Sequence, residues 1–105
     1  MKYLLLVCSD ESSPSSQEPE PVEPWVAEMD GRGVRLEGDR LRPVSDATTV
    51  SDSGRLIVDG PFAETKEQIA GYDVIDCANL EEAIAVAAKH PMAKVGAIEV
   101  RPFWQ

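Results

Sequence analysis

Two side chains in this sequence have the chemistry of an acid–base pair, Asp59 and His90. Asp59 stands before Gly60-Pro61 at the end of a β-prone run, where a rigid scaffold often displays functional groups, so its carboxylate is a candidate general base. His90 is the chain's single histidine, and an imidazole changes charge close to neutral pH. The sequence therefore predicts Asp59 and His90 as catalytic residues. It does not fix the distance between them, and a shared substrate atom requires both within hydrogen-bond reach.

Each of these residues also has a structural interpretation. An aspartate before a turn commonly accepts hydrogen bonds from the turn backbone. His90 falls at the C-terminal end of a predicted helix, where the helix dipole favours imidazolium by about 0.3 to 1 kcal/mol. We therefore expect a partly charged histidine near neutral pH, which either does chemistry or stabilises exposed helix carbonyls.

Further charged side chains follow Asp59 and lie near the C-terminus. Glu64 and Lys66 have opposite charges that could pair with each other or contact a ligand. Arg101 has a guanidinium that could hold a carboxylate through two hydrogen bonds. We expect its partner to be Asp59 or a ligand, because Glu99 is too close along the strand; a structural ion pair is the alternative to ligand binding.

The elements that would position these residues are short strands and helices. Alternating or continuous apolar runs predict strands, and apolar residues at helical spacing predict a first helix over about residues 22–30. Asn79 and Glu82 form a capping box that predicts the start of a second helix, which Pro91 ends. Ser51-Asp52-Ser53-Gly54 predicts a hairpin turn. The strands fall at residues 2–7, 34–41, 47–50, 55–59, 71–77 and 95–100.

This order of elements predicts an α+β domain over residues 1–105, a ferredoxin-like antiparallel sheet with two helices on one face. The buried stripe of the second helix is predicted to contain Leu80, Ala83, Ile84, Ala87 and Ala88. Residues 9–21 are predicted to be a mobile acidic loop, since they are rich in proline, serine and glutamate and contain no Lys or Arg.

Composition excludes several classes of function. The formal net charge is −9, which disfavours nucleic-acid binding, because that affinity rests on Lys and Arg at phosphates. No apolar run approaches the roughly 20 residues of a membrane span. The first apolar run is too short for a signal-peptide core, so we expect a cytoplasmic protein.

No cofactor or metal is expected either. Cys8 and Cys77 lie in apolar runs and are predicted to be free thiols, and neither spacing nor the single histidine completes a familiar zinc site. The glycine-rich motifs that bind nucleotide phosphates are absent from the sequence.

The run Asp59-Gly60-Pro61-Phe62, continuing to Tyr72, resembles the signature of the YciI-like, or DGPF-domain, family. Lys2 to Leu6 at the start and Gly96 to Pro102 at the end reinforce the resemblance. The resemblance implies a homodimer of the dimeric α/β-barrel type, whose loop after the Asp-Gly-Pro-Phe turn lies beside a cleft between the sheet and the partner subunit. On this basis, the ligand-binding residues are expected to be Phe62, Glu64, Lys66, Tyr72 and Arg101.

One departure from the family bears on function. Some members are thought to use a His and Asp pair, and one branch eliminates chloride from a lactone, but their histidine lies in the first half of the chain. This sequence has no histidine there, so only Asp59 and His90 remain as a substitute pair. The first hypothesis is a dimeric small-molecule-binding protein with cofactor-free acid–base chemistry such as elimination, isomerisation or hydrolysis. The alternative is a non-catalytic regulatory module linked to sigma factors, with the acidic segment facing a basic partner.

Overall fold

The computed structural model describes residues 1–10, 20–63 and 67–104. Within these ranges, four strands form the main sheet, two form a separate hairpin, and three α-helices accompany them. The main strands are β1 (Lys2–Ser9), β2 (Arg35–Arg40), β5 (Gln68–Asp76) and β6 (Ala97–Pro102), and the hairpin strands are β3 (Thr48–Ser51) and β4 (Leu56–Asp59). The helices are α1 (Glu23–Gly31), α2 (Leu80–Ala88) and α3 (Met92–Val95).

The main sheet has the order β2-β5-β1-β6, and every neighbouring pair is antiparallel. The prediction of an α+β fold with an antiparallel sheet is confirmed, and β1 is a central strand. The short helix α3 was not predicted from the sequence. Pro91, which ends α2, is also the N-cap of α3, because its fixed φ is compatible with the first turn of a new helix.

The hydrophobic core lies on one face of this sheet, beneath α1 and α2. Along β1 the buried residues alternate with half-buried ones, and the register places Leu5 beside Asp73 and Tyr3 beside Ile75 on the core side. Trp25 in α1 joins the helices, since its Nε1 donates a hydrogen bond to the Val86 carbonyl at 3.0 Å. The core residues are Tyr3, Leu5, Trp25, Met29, Val34, Ile75, Cys77, Ala83, Val86 and Ala87.

The orientation of α2 corrects the predicted stripe. Leu80 and Ile84 are 49% and 52% exposed, whereas the buried residues of the helix are Ala83, Val86 and Ala87. Apart from Glu81 and Glu82, the side chains of this helix are apolar, so the spacing of the apolar residues alone did not distinguish one face from another. His90 continues the buried stripe one turn beyond Ala87 and Val86, since it is only 4% exposed.

The opposite face of the sheet is open within the described residues. Leu4 and Leu6 point to this side, where the register pairs them with Val74 and Tyr72 of β5. Both leucines are only half-buried, because α1 and α2 pack on the other face. The sheet therefore has one face packed against α1 and α2 and one face that no described helix covers, as is common for antiparallel sheets.

The β3–β4 hairpin projects from the domain with apolar side chains in solvent. Its turn is the predicted one, with Asp52 and Ser53 in the left-handed region. Hydrogen bonds from Gly60 to Ala47 and from Thr49 to Gly60 close its base. Its exposed apolar residues are Val50, Leu56, Ile57 and Val58. An isolated two-stranded hairpin is marginally stable in water, so this arm is suited to packing against another surface.

Both cysteines are free thiols, as predicted. Burial, together with a hydrogen bond to Glu82, raises the pKa of the Cys77 thiol to about 11, which makes it unreactive at neutral pH. No helix in the described part of the chain is long and apolar enough to cross a membrane.

The predicted cap of α2 is confirmed, and it gives the first testable prediction. Asn79 Oδ1 accepts a hydrogen bond from the Glu82 backbone N–H at 2.9 Å. Asn79→Ala is expected to lower the free energy of unfolding by about 1 kcal/mol, because this N–H loses its acceptor. Urea unfolding measures the change. Asn79→Asp is the matched control, since it keeps the acceptor and should remain close to wild type; equal losses in both variants would contradict the cap.

Candidate functional site

A cleft of about 780 Å³ opens on the core side of the sheet. It lies between the start of α1, the ends of β1, β2 and β5, and the junction of α2 with α3. The lining residues used below are Glu20, Val22, Glu23, Val26, Arg35, Arg40, Asp73, His90 and Met92.

An ion pair between Arg35 and Asp73 lies in the wall of this cleft. Arg35 Nε donates a hydrogen bond to Asp73 Oδ1 at 2.9 Å, and the two side chains are only 16% and 8% exposed. Two further donors of the guanidinium bind Asp30 Oδ1 at 3.3 Å and the Gly38 carbonyl at 3.0 Å. Arg35 is therefore held in place by three partners, which fixes the Asp73 carboxylate against β2.

Gly38 makes room for this pair. A Cβ at position 38 would overlap the Asp73 carboxylate and lie 2.7 Å from the Tyr72 carbonyl oxygen and 2.8 Å from Arg35 Nη2. Real Cβ atoms do not approach other heavy atoms so closely. A glycine at this point of β2 is therefore required by close approach of neighbouring groups.

Burial gives Asp73 unusual acid–base properties. Desolvation raises the pKa of the Asp73 carboxyl above its usual value, although the hydrogen bond and charge of Arg35 oppose the shift. Desolvation alone would lower the pKa of Arg35, but its hydrogen bonds to Asp73 and Asp30 outweigh this and raise it, so the guanidinium stays charged. Among the described residues, only Oδ1 of Asp73 is hydrogen-bonded. Oδ2 is therefore a free acceptor on a carboxylate more basic than an exposed aspartate.

His90 lies in the same cleft as a neutral imidazole. Its Nδ1 accepts a hydrogen bond from the Met92 backbone N–H at 3.0 Å, and its ring meets the Trp25 indole edge-on at a centroid distance of 4.7 Å. Burial lowers the pKa of His90, which contradicts the expectation of a partly charged side chain. The helix dipole is outweighed, because desolvation and the occupied Nδ1 lone pair both disfavour imidazolium.

The remaining ring nitrogen of His90 is available to a ligand. Because Nδ1 is an acceptor, the neutral ring has its proton on Nε2. Nε2 has no hydrogen-bond partner among the described residues, yet no side-chain nitrogen or oxygen there is both fully buried and unpaired. Nε2 therefore keeps contact with solvent, and its N–H is a donor that a molecule in the cleft can use.

The ionisation of His90 can be measured directly, because the chain has one histidine. We expect its ring protons to titrate by NMR with a midpoint below about 6.5, the value for an exposed histidine. The unfolded chain then binds this proton more tightly than the folded one, so the free energy of unfolding falls as pH drops from the unfolded pKa toward the folded one. His90→Asn is the control, since its Oδ1 can replace Nδ1 as the acceptor for Met92 without titrating. A midpoint above 6.5 would instead show that the helix dipole dominates.

Of the sequence-predicted site residues, His90 and Tyr72 border the cleft. The register places the Tyr72 side chain on the open face with Leu6, so only His90 directs its side chain to the core side. Asp59 is exposed at the end of β4, paired with Thr48 across the hairpin, and is not part of the lining. Phe62 is 88% exposed just beyond it. Glu64 and Lys66 fall outside the described residues, as does most of the predicted acidic loop. Within a single chain, Asp59 is therefore not part of the cleft that contains His90.

Arg101 lies on the open face of the sheet, paired across the strands with Leu4. Its Nε is 3.4 Å from Glu99 Oε2, and both side chains are more than half exposed. The expectation that Glu99 is too close to pair is wrong, because residues two apart on a strand lie on the same face. Such an exposed pair contributes little to stability.

Sequence reasoning missed Arg35, Gly38 and Asp73 as site residues. One signal was present, because alternation along β5 places Asp73 on the same face as the buried Ile75 and Cys77. A carboxylate in phase with core residues needs a partner. The identity of that partner, 38 residues away in sequence, follows only from the pairing of β2 with β5.

Within the described ranges, no group of three or more His, Cys, Asp or Glu side chains is placed to hold a metal ion. The polar groups of the cleft are thus available as hydrogen-bonding and acid–base groups.

Comparison with known proteins gives a family match that covers the whole chain. A sequence profile of the YCII-related domain matches residues 1–105. The chain is also 38% identical over 121 aligned residues to an uncharacterized protein of Rhizobium meliloti (strain 1021), covering 97% of this chain and 91% of the relative.

Proposed function

We propose that this chain, which belongs to the YCII-related domain family, binds a small organic molecule in the cleft beside Arg35, Asp73 and His90. The observation that carries the proposal is Asp73, a side chain only 8% exposed whose second carboxylate oxygen has no partner among the described residues. Burying a carboxylate is costly, and because no side-chain oxygen of the described residues is both fully buried and unpaired, Oδ2 is in contact with the space of the cleft. A ligand in the cleft can satisfy the free oxygen.

The two titratable groups of the cleft support cofactor-free acid–base chemistry. Asp73, with its raised pKa, is suited to accept a proton from a substrate at Oδ2. His90 is suited to donate a hydrogen bond from Nε2 to a substrate oxygen, because its Nδ1 is committed to Met92. Elimination, isomerisation and hydrolysis each need such a base and such a donor. In this proposal Asp73 has the role of general base.

We further propose that the protein is a ferredoxin-like homodimer joined through the open face of the sheet. Leu4, Leu6 and Val74 form an apolar strip on that face, and the described helices α1 and α2 cover only the other side. A second copy presents the same strip, as a two-fold interface requires. The exposed hairpin arm provides additional apolar surface for such an assembly.

A non-catalytic interaction module is the second candidate. The exposed arm favours it, because Val50, Ile57 and Phe62 are 61%, 63% and 88% exposed. Val50 and Ile57 are cross-strand neighbours, and exposed apolar side chains grouped in this way are typical of a site for another protein. In that case Asp59 and Phe62 would contact the partner, and the cleft would have no ligand.

Thermal-shift screening of a fragment library against three forms of the protein separates these functions. Fragments that stabilise the wild type are expected to lose their effect in Asp73→Asn, which removes charge but keeps side-chain size. Asp59→Asn is the matched control outside the cleft and should respond like wild type. If the shifts survive in Asp73→Asn and vanish in Asp59→Asn, the cleft is not the binding site.

A further inference from the structure

The geometry points to a positively charged ligand for this cleft, a primary amine with an apolar body. This inference rests on the proposed binding function and names the chemical class of the ligand. It is carried by the charge of the lining residues and by the partners that Arg35 and His90 already have.

Carboxylates outnumber cations around the cleft. The acidic residues with side chains on this side are Glu20, Glu23 and Asp73, and the basic ones are Arg35 and Arg40. Their direct ion-pair partners are Lys94, 3.4 Å from Glu20, and Asp30, 3.3 Å from Arg35, so four carboxylates lie close to three cations. The protein as a whole has a formal charge of −9, so its surroundings do not offset this local excess. The potential in the cleft is therefore negative, which attracts cations and repels anions.

Three of the five N–H donors of the buried Arg35 guanidinium are already used within the protein. Its donors bind Asp73, Asp30 and the Gly38 carbonyl at 2.9 to 3.3 Å. Its positive charge faces two carboxylates, so the cluster of Arg35, Asp30 and Asp73 is negative overall. Arg40 is exposed on β2, as Glu20 and Glu23 are near the start of α1, so solvent and salt screen all three charges.

A specific acceptor lies within this negative region. Asp73 Oδ2 belongs to a side chain more than nine-tenths buried and has no hydrogen-bond partner among the described residues. An ionised carboxylate only accepts hydrogen bonds, so its complement is a donor. An ammonium group supplies both the N–H and the compensating charge, and it gives a charge-assisted hydrogen bond.

The rest of the cleft fits an apolar body. Val22 and Val26 at α1 and Met92 at the start of α3 line it together with Val7. His90 adds one donor, Nε2–H, for a ligand oxygen. A hydrocarbon or aromatic group between these walls would place its amine at Asp73.

Three probes with the same ring and different charge test the inference: benzylamine, benzyl alcohol and benzoate. Each is titrated into the ¹⁵N-labelled wild-type protein, and the backbone amides of Gly71, Asp73, His90 and Met92 report binding in the cleft. We expect benzylammonium to bind there at least about tenfold more tightly than either other probe. Its advantage should shrink as salt is raised, because the attraction is electrostatic.

Asp73→Asn is expected to remove the preference for the amine, while Asp59→Asn should keep it. The comparison of the three probes in the wild-type protein does not depend on either variant. Loss of folding in Asp73→Asn therefore does not affect that comparison. Equal or tighter binding of benzoate or benzyl alcohol in the cleft would overturn the inference and leave the proposed binding function intact. Failure of benzylamine, while other fragments perturb the cleft amides, would overturn it as well. Failure of every probe and fragment at these amides would overturn both.

Discussion

Arg35→Met is expected to lower the free energy of unfolding by about 3 kcal/mol, because it leaves the buried Asp73 carboxylate without its cation. The two side chains are 16% and 8% exposed, so water cannot readily replace the lost hydrogen bond. Methionine keeps the length of the arginine stem, which limits any cavity. Urea unfolding with global fitting of the midpoint and slope measures the effect.

Two controls separate the ion pair from general effects of losing an arginine. Arg55→Met changes an exposed arginine in the hairpin and should alter stability by less than about 0.5 kcal/mol. The double variant Arg35→Met with Asp73→Leu should recover much of the loss, because an apolar pair needs no charge compensation. If Arg35→Met is no worse than Arg55→Met, the pair is not a structural part of the cleft wall.

Leu4→Asp is expected to weaken the proposed homodimer about 100-fold or more. Leu4 lies on the open face of β1, next to Val74 of β5. A two-fold interface contains the substitution twice, so a cost of about 1.4 kcal/mol per copy is enough for this change. Within one chain the new carboxylate would lie opposite Arg101, which favours the pair and helps the subunit stay folded.

Sedimentation equilibrium checks this prediction over a range of concentrations. The wild type should sediment as twice the chain mass of 11.4 kDa, and Leu4→Asp should approach the single-chain mass. Leu80→Asp, at a leucine exposed on α2, is the matched control and should remain dimeric. A wild-type monomer, or a Leu4→Asp variant as dimeric as the control, would contradict association through this face.

Local rules of chain conformation were sufficient to predict most of the elements. The side chain of Asn79 caps α2 as its position before Glu82 indicated, and the turn at residues 51–54 joins β3 to β4. These features depend on a few neighbouring residues, so the sequence contains all the information needed. The antiparallel α+β arrangement then followed from the order of the elements.

Tertiary packing decided the features that the sequence did not reveal. The face of α2 that is buried depends on what lies beneath it, and an apolar helix gives no preference, so Leu80 and Ile84 were placed inside when they are outside. The same rotation buries His90 and reverses the expected direction of its pKa shift.

The residues of the candidate site also depend on tertiary packing and could not be identified from local sequence rules. Arg35 and Asp73 meet only because β2 pairs with β5, with an irregular register after Arg35. Gly38 permits that meeting through the absence of a Cβ. Asp59 was the more prominent carboxylate in the sequence because of the turn that follows it, yet the structure places Asp73, not Asp59, in the cleft with His90.

The most direct test of the central claim is a map of amide chemical-shift changes on binding of the strongest fragment from the thermal-shift screen. The account predicts that the largest changes fall at residues 70–73 and 90–92, with the hairpin at residues 48–59 nearly unchanged. Changes concentrated in the hairpin and at Asp59 and Phe62, with residues 70–73 and 90–92 unaffected, would contradict a binding site in the cleft.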